Sequence, residues 1–168
     1  AVTDDVKLLI NSGLIDVVID ATGVPSVGAE IGLRAMEHGK HLVMMNVEAD
    51  ITIGAYLAHE AKRLGVTYTL GAGDEPSSCI EIINFAKALG YPIVAAGKGK
   101  NNPLDRTANP DSCAPKAKAA NMSAKMLASF VDGTKTMVEM TSIGNGTGYA
   151  PEKAGAYGPQ CTVKDLAN

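Results

Sequence analysis

The chain has no excess of positive charge: 15 Lys and Arg stand against 18 Asp and Glu, a formal net charge of -3 over 168 residues. Phosphate-rich partners call for a strongly basic face, so no nucleic-acid or membrane partner is expected. Nor is there an apolar run near the roughly 20 residues that cross a bilayer, or a basic-then-apolar leader pattern. The expected location is the cytoplasm. Cysteine is scarce, and Cys79, Cys113 and Cys161 form no Cys-x-x-Cys pair, which argues against a disulfide framework or a thiolate zinc site. His38, His41 and His59 also lack metal-ligand spacing. Aromatic residues make up only 4% of the chain beside 18 glycines, so helices must pack on a sheet through small and aliphatic side chains. A Gly-x-Gly-x-x-Gly fingerprint is missing too, and with it the usual cradle for a dinucleotide pyrophosphate.

What is present first is the apolar run Ile15 to Ala21, closed by Thr22-Gly23-Val24-Pro25. β-branched residues ending in Gly and Pro predict a parallel strand buried on both faces. Nothing that should precede such a strand in a dinucleotide-binding domain is here, so the chain is expected to start mid-domain. Ser26 is placed to cap a helix with a stripe of Val27, Ile31, Ala35 and Met36, ended by Gly39. His41 to Met45 is the next strand. Asp50 is placed to cap a helix through Leu57, Ala58, Ala61 and Leu64, closed by Gly65, and Val66 to Leu70 is a third strand. Alternation of this kind predicts right-handed crossovers and a parallel sheet, with one core for a chain of this size.

Beyond Gly71, Ser78-x-x-Glu81 reads as a capping box for a helix whose buried face is Ile82, Phe85, Ala86 and Leu89. Tyr91 to Ala96 reads as a fourth strand. Gly97 to Pro115, with three prolines, reads as a long irregular loop of the kind that is more often functional than idle. Met122, Met126 and Phe130 mark another helix, ending at Asp132-Gly133. From Thr136 to Met140 the pattern fits a helix and a strand equally, and the chain from Gly144 reads as loop.

Ligands of open parallel sheets bind beyond the carboxyl ends of the strands, and each of the four expected strand ends is polar or glycine-rich. Thr22, Gly23 and Pro25 fit a flat ligand approaching the backbone, and equally an ordinary strand-to-helix turn. Asn46 and Glu48 suit a ribose or a nicotinamide amide, or a helix cap. Asp74 and Glu75 precede Pro76 at a helix start, where the macrodipole favours negative charge; one acidic pair leaves a divalent metal as a possibility only. Lys98, Lys100 and Arg106 share a glycine-rich segment with Asn101 and Asn102, a donor set suited to a carboxylate or phosphate, and a lysine there can also serve a carbonyl oxygen as general acid. Lys135, after Asp132-Gly133-Thr134, is a further candidate.

These same segments, above all Met45-Asn46-Val47-Glu48-Ala49-Asp50 but also Gly73 to Pro76, Gly97 to Asn102 and Phe130 to Glu139, resemble the homoserine dehydrogenase-like NAD(P)-dependent oxidoreductases. The closer resemblance is to the branch that includes 1-deoxy-D-xylulose-5-phosphate reductoisomerase-like enzymes. It implies an α/β fold: the latter part of a Rossmann-like NAD(P)-binding domain over 1–75, a substrate and catalytic region over 76–149, and a loop-rich tail over 150–168. It implies NADP or NAD as cofactor, with Thr22, Gly23, Pro25, Asn46 and Glu48 on the cofactor side. Asp74, Asn101, Asn102 and Arg106 would then face substrate, and Glu75, Lys98, Lys100 and Lys135 would carry the chemistry. Lacking the first strand, the residues at hand are expected to bind dinucleotide poorly and to be inactive outside the full-length enzyme. They should also expose an apolar sheet edge that draws copies together as a homo-oligomer. Two other classes fit the same residues: a non-catalytic domain that senses a small anion at Gly97 to Arg106, and a metal-dependent lyase or isomerase built on Asp74 and Glu75.

Overall fold

The structure, a computed structural model, describes residues 2–100, 102–158, 160–162 and 164–165. Asn101 lies outside the described residues. Three parallel strands, β1 (Val17–Asp20), β2 (His41–Met44) and β3 (Tyr68–Leu70), form a sheet in the order β1-β2-β3. Val18 sits opposite Leu42 and Asp20 opposite Met44, while Leu42 and Met44 sit opposite Tyr68 and Leu70. Period-two alternation turns this set to one face, where α2 (Pro25–Glu37) and α3 (Val47–Leu64) cover it. Met36, Leu42, Met44, Ala49, Leu57 and Ala61 form the core there. Each fully enclosed Leu or Met contributes about 1.5–3 kcal/mol.

The second face of β1 departs from the expectation of a strand buried on both sides. Val17 and Ile19 are 47% and 64% exposed, because consecutive strands joined by same-handed crossovers put both helices on one side. The inward stripe of α2 differs as well, being Gly28, Gly32, Ala35 and Met36 rather than Val27 and Ile31. Close approach is the cause. A Cβ on Gly32 would lie 2.7 Å from Leu42 Cδ2, and one on Gly28 would overlap Asp20 Oδ2. Pro25 opens α2 at its first turn, with Val24 and not Ser26 in the capping place. Asn46, not Asp50, caps α3, and Gly65 closes it with a left-handed φ of 71°. A short helix, α1 (Val6–Asn11), precedes the sheet, and the buried Lys40 ties the chain after it down by donating to the carbonyls of Ser12 and Ile15.

From Glu75 onward the described structure is helical: α4 (Glu75–Ala88), α5 (Pro110–Ala119), α6 (Ala124–Asp132) and α7 (Thr134–Thr147). Four expectations change here. Asp74 caps α4 through Ser77 N, one turn before the expected Ser78 box. The expected fourth strand at 91–96 has no ladder partner among the described residues and runs as irregular chain. Asn109 and Ser112 form a capping box that starts α5 inside the expected loop, and Pro115 does not end it. Glycines 144 and 146 lie within α7, which resolves the helix-or-strand ambiguity at Thr136 in favour of a helix running to Thr147.

The buried face of α4 is Pro76 and Ile83, packed toward α7, where a Cβ on Gly146 would meet Ile80 Cδ1 at 2.7 Å. The expected face of Ile82, Phe85 and Leu89 is therefore outermost, each residue more than half exposed. Among the described residues no helix is long and apolar enough to cross a membrane.

Candidate active site

The carboxyl ends of β1 and β2 are joined by a buried pair. Asp20, the last residue of β1, accepts from Thr22 N at 3.1 Å and from Asn46 Nδ2 at 3.2 Å. Asn46 in turn accepts from Ala49 N at 3.3 Å and so starts α3. Both side chains are 1–2% exposed, so Asn46 braces the rim from beneath. Thr22, Gly23 and Pro25 are exposed above it, and Gly23 holds a φ of 66° that favours glycine. Met126 of α6 reaches this turn, its Cε 3.8 Å from where a Gly23 Cβ would lie.

A cavity of about 190 Å³ opens beside the rim. Its walls bring Glu75, Lys98, Lys100, Asn102 and Lys135 together, five residues from three separate segments of the sequence. Glu48 reaches the same place from the first turn of α3, pairing its Oε1 with Lys135 Nζ at 2.8 Å. The cofactor-side and catalytic candidates thus meet in one ion pair. Asp50, one turn along α3 from Asn46, accepts from Tyr68 Oη at 2.6 Å and from Ser142 Oγ at 3.3 Å, a second tie between the sheet and α7. Burial, and then the hydrogen bond to Asp50, raises the pKa of Tyr68, keeping the phenol neutral.

Lys98 lies between two carboxylates. Glu139 of α7 accepts from its Nζ inside the protein, while Glu75 Oε1 stands 3.3 Å away on the open side. Partial burial lowers the lysine's pKa, but the hydrogen bond and charge of Glu139, with Glu75 behind it, win and hold it above the ordinary lysine value. Glu75 moves the other way. Its own backbone N–H holds it below the ordinary glutamate value, and the charge of Lys98 adds to this against a partial desolvation cost. Lys100 differs from both other lysines in the cavity, because its Nζ donates to the carbonyl of Phe130 and has no carboxylate partner among the described residues.

Two substrate-side candidates stand apart from this cluster. Arg106 is exposed and does not line the cavity. Asp74 spends one oxygen on the cap of α4, and its Oδ2 is buried with no hydrogen-bond partner. Asp74 and Glu75 therefore point to different tasks. No group of three or more His, Cys, Asp and Glu side chains gathers as a metal site among the described residues.

Residues 73–168 match the family model for the catalytic domain of the oxidoreductase DRL, and residues 1–70 match that for the NAD-binding domain of homoserine dehydrogenase. The chain belongs to the DRL oxidoreductase family. No curated protein matches it. The two matches change over at residues 71 and 72, just after β3, so the α/β layer carries the NAD-binding likeness and the helices carry the catalytic one. NAD(P) dependence follows for the family. The Thr22-Gly23 turn at the end of β1 is exposed, and the left-handed φ of Gly23 favours a residue without a side chain, which leaves its backbone accessible to a flat ligand.

Sequence reasoning missed Asp20, Thr136 and Glu139. Thr136 lines the cavity, Asp20 holds the rim, and Glu139 pairs with Lys98. One signal was there to find: Lys135, Glu139 and Ser142 recur at i, i+4 and i+7, so α7 carries a polar stripe from Lys135 to Ser142. Glu139 and Ser142 on that face are 2% and 3% exposed, which makes it an inward polar stripe aimed at Glu48, Lys98 and Asp50.

Proposed function

We propose that the chain carries the nicotinamide-facing rim and the substrate site of an oxidoreductase that reduces the carbonyl of a small carboxylated or phosphorylated metabolite. The observation that carries this reading is the convergence of Lys98, Lys100 and Lys135 on one cavity, tied to the end of β2 by Glu48. A bound nicotinamide would supply hydride. Thr22, Gly23 and Pro25 would hold its ring side from the rim, braced by Asp20 and Asn46.

Lys100 and Asn102 suit the anionic handle, since Lys100 has no carboxylate partner among the described residues to give up before it binds one. Lys98, protonated and fixed, donates a hydrogen bond to the carbonyl oxygen and passes it a proton as negative charge develops there. The neutral amine left at Lys98 Nζ is reprotonated from solvent past Glu75, whose side chain is 58% exposed. Lys135, held by Glu48, closes the cavity on the cofactor side. A divalent metal would have Asp74 Oδ2 to draw on, a buried oxygen without a hydrogen-bond partner among the described residues.

The test is oxidation of NADPH and NADH by the full-length protein against a panel of small hydroxy-ketone and aldehyde phosphates and carboxylates. Turnover that falls at least a hundredfold in Lys98→Met supports the reading. Anion binding at Lys100 with no nicotinamide turnover would instead identify a sensing domain.

A further inference from the structure

Lys98 sits on a stretch of chain without regular structure, yet it has to present a proton at a defined point. Residues 91–100 form neither helix nor strand, so the backbone alone does not fix its ammonium group. Two acidic side chains reach it, and they are unequal. The Glu75 side chain is 58% exposed and 3.3 Å away; that of Glu139 is 3% exposed and in direct hydrogen-bond contact. Water competes for Glu75 and is excluded from Glu139. A carboxylate so enclosed is costly unless paired, which makes the contact obligatory for both partners. Glu139 itself stands on the second turn of α7, a 14-residue helix packed on α3, α4 and α6, and is therefore anchored where Lys98 is not.

We infer that Glu139 is a positioning residue for the proposed reduction: it holds the Lys98 ammonium at the cavity wall as a charged donor, while Glu75 remains free to exchange its pairing with solvent and substrate. This rests on the reading of the cavity as a carbonyl-reduction site. It divides the two carboxylates by task, the buried one for placement and the exposed one for proton supply. It also separates Lys98 from Lys100, so the anionic handle of the substrate falls to the lysine whose ammonium group is held by the Phe130 carbonyl. The charged groups facing Lys98 are Glu139 from α7 and Glu75 from α4, with Lys135 of α7 and Lys100 along the same wall.

The test is a side-chain NMR titration of Lys98 Cε and Nζ in the full chain, which needs neither substrate nor cofactor. Glu139→Gln is expected to lower the Lys98 ionisation midpoint so that its acid dissociation constant rises roughly tenfold, with Glu75→Gln moving it less and Glu139→Asp restoring part of the loss. Should Glu139→Gln fail to fold, the wild-type chain decides by itself through the scalar coupling across the hydrogen bond from Lys98 Nζ. Coupling to Glu139 Cδ supports the inference; coupling to Glu75 Cδ alone, or a larger midpoint shift from Glu75→Gln, overturns it. Inorganic phosphate added to the same sample should shift Lys100 Nζ and leave Lys98 Nζ in place. A Lys98 resonance that follows Glu139 in a protein without nicotinamide turnover would sink the proposed reduction and leave the placement standing.

Discussion

Between β1 and β3 the largest fully enclosed apolar side chains are Met36, Leu42, Met44 and Leu57, whereas from Glu75 onward the large side chains enclosed to the same degree are Pro76 and the carboxylate of Glu139. The α/β half is thus held by aliphatic packing. In the helical half a second small core of Cys113, Ala117, Leu127 and Ala128, with the buried Ile83 of α4 and Ile143 of α7, does this on a smaller scale, and ion pairs line the cavity. One of these pairs, Lys135 with Glu48, also ties α7 to α3, and Asp50 of α3 joins Tyr68 of β3 to Ser142 of α7. Stability and function should therefore separate in the first half and coincide in the second.

The sharpest contrast comes from matched truncations. Leu57→Ala removes a fully buried side chain from the sheet core and should cost about 3 kcal/mol in denaturant unfolding, while Phe85→Ala on the exposed face of α4 should cost less than about 0.5 kcal/mol. Comparable losses would show that the outer face of α4 is covered in solution. Next in size is Lys98→Met, which strands the Glu139 carboxylate; since the lysine is partly solvated, a cost of about 2 kcal/mol is expected in denaturant unfolding.

Gly28→Ala is expected to cost about 1–2 kcal/mol, because the new methyl must displace the Asp20 carboxylate or its Asn46 partner. The same variant should loosen the Thr22 amide, visible as faster hydrogen exchange at that one rim position. The smallest effect expected is in pH dependence. With its pKa raised in the folded state, Lys98 contributes stability fully below the ordinary lysine value and loses it as pH rises through the raised one. Glu75, with its pKa lowered, contributes above the ordinary glutamate value and loses that as pH falls through the lowered one. Lys98→Met should flatten the alkaline limb and Glu75→Gln the acid limb, each read from unfolding midpoints across pH.

The first half was largely legible in the sequence because its signals are local. Gly39 and Gly65 end helices in left-handed turns, and Leu42 and Met44 alternate onto one face, much as their spacing suggests. What misled was side-chain size: Gly28 and Gly32 face the sheet because the helix lies close to it, and apolar periodicity does not register a glycine. In the second half the deciding partners are distant in sequence. Tyr91 to Ala96 has strand-like residues but no neighbouring strand among those described, and α4 turns Ile83 inward because α7 packs there.

Of the residues gathered at the cavity, Glu75, Lys98 and Lys100 stand out in the sequence by residue type after expected strands, and Lys135 by its place after the helix-end turn Asp132-Gly133. Glu139 does not, because its meaning depends on Lys98, 41 positions away, lying against it.

The account depends on the rim at Thr22-Gly23 and the lysine cavity being one site. Backbone NMR of the full chain titrated with reduced nicotinamide mononucleotide tests this directly. The prediction is concerted shifts at Thr22 and Gly23 and at Lys98, Lys135 and Thr136, weakened by Glu48→Gln. Shifts confined to the rim, or to residues remote from both, would contradict it.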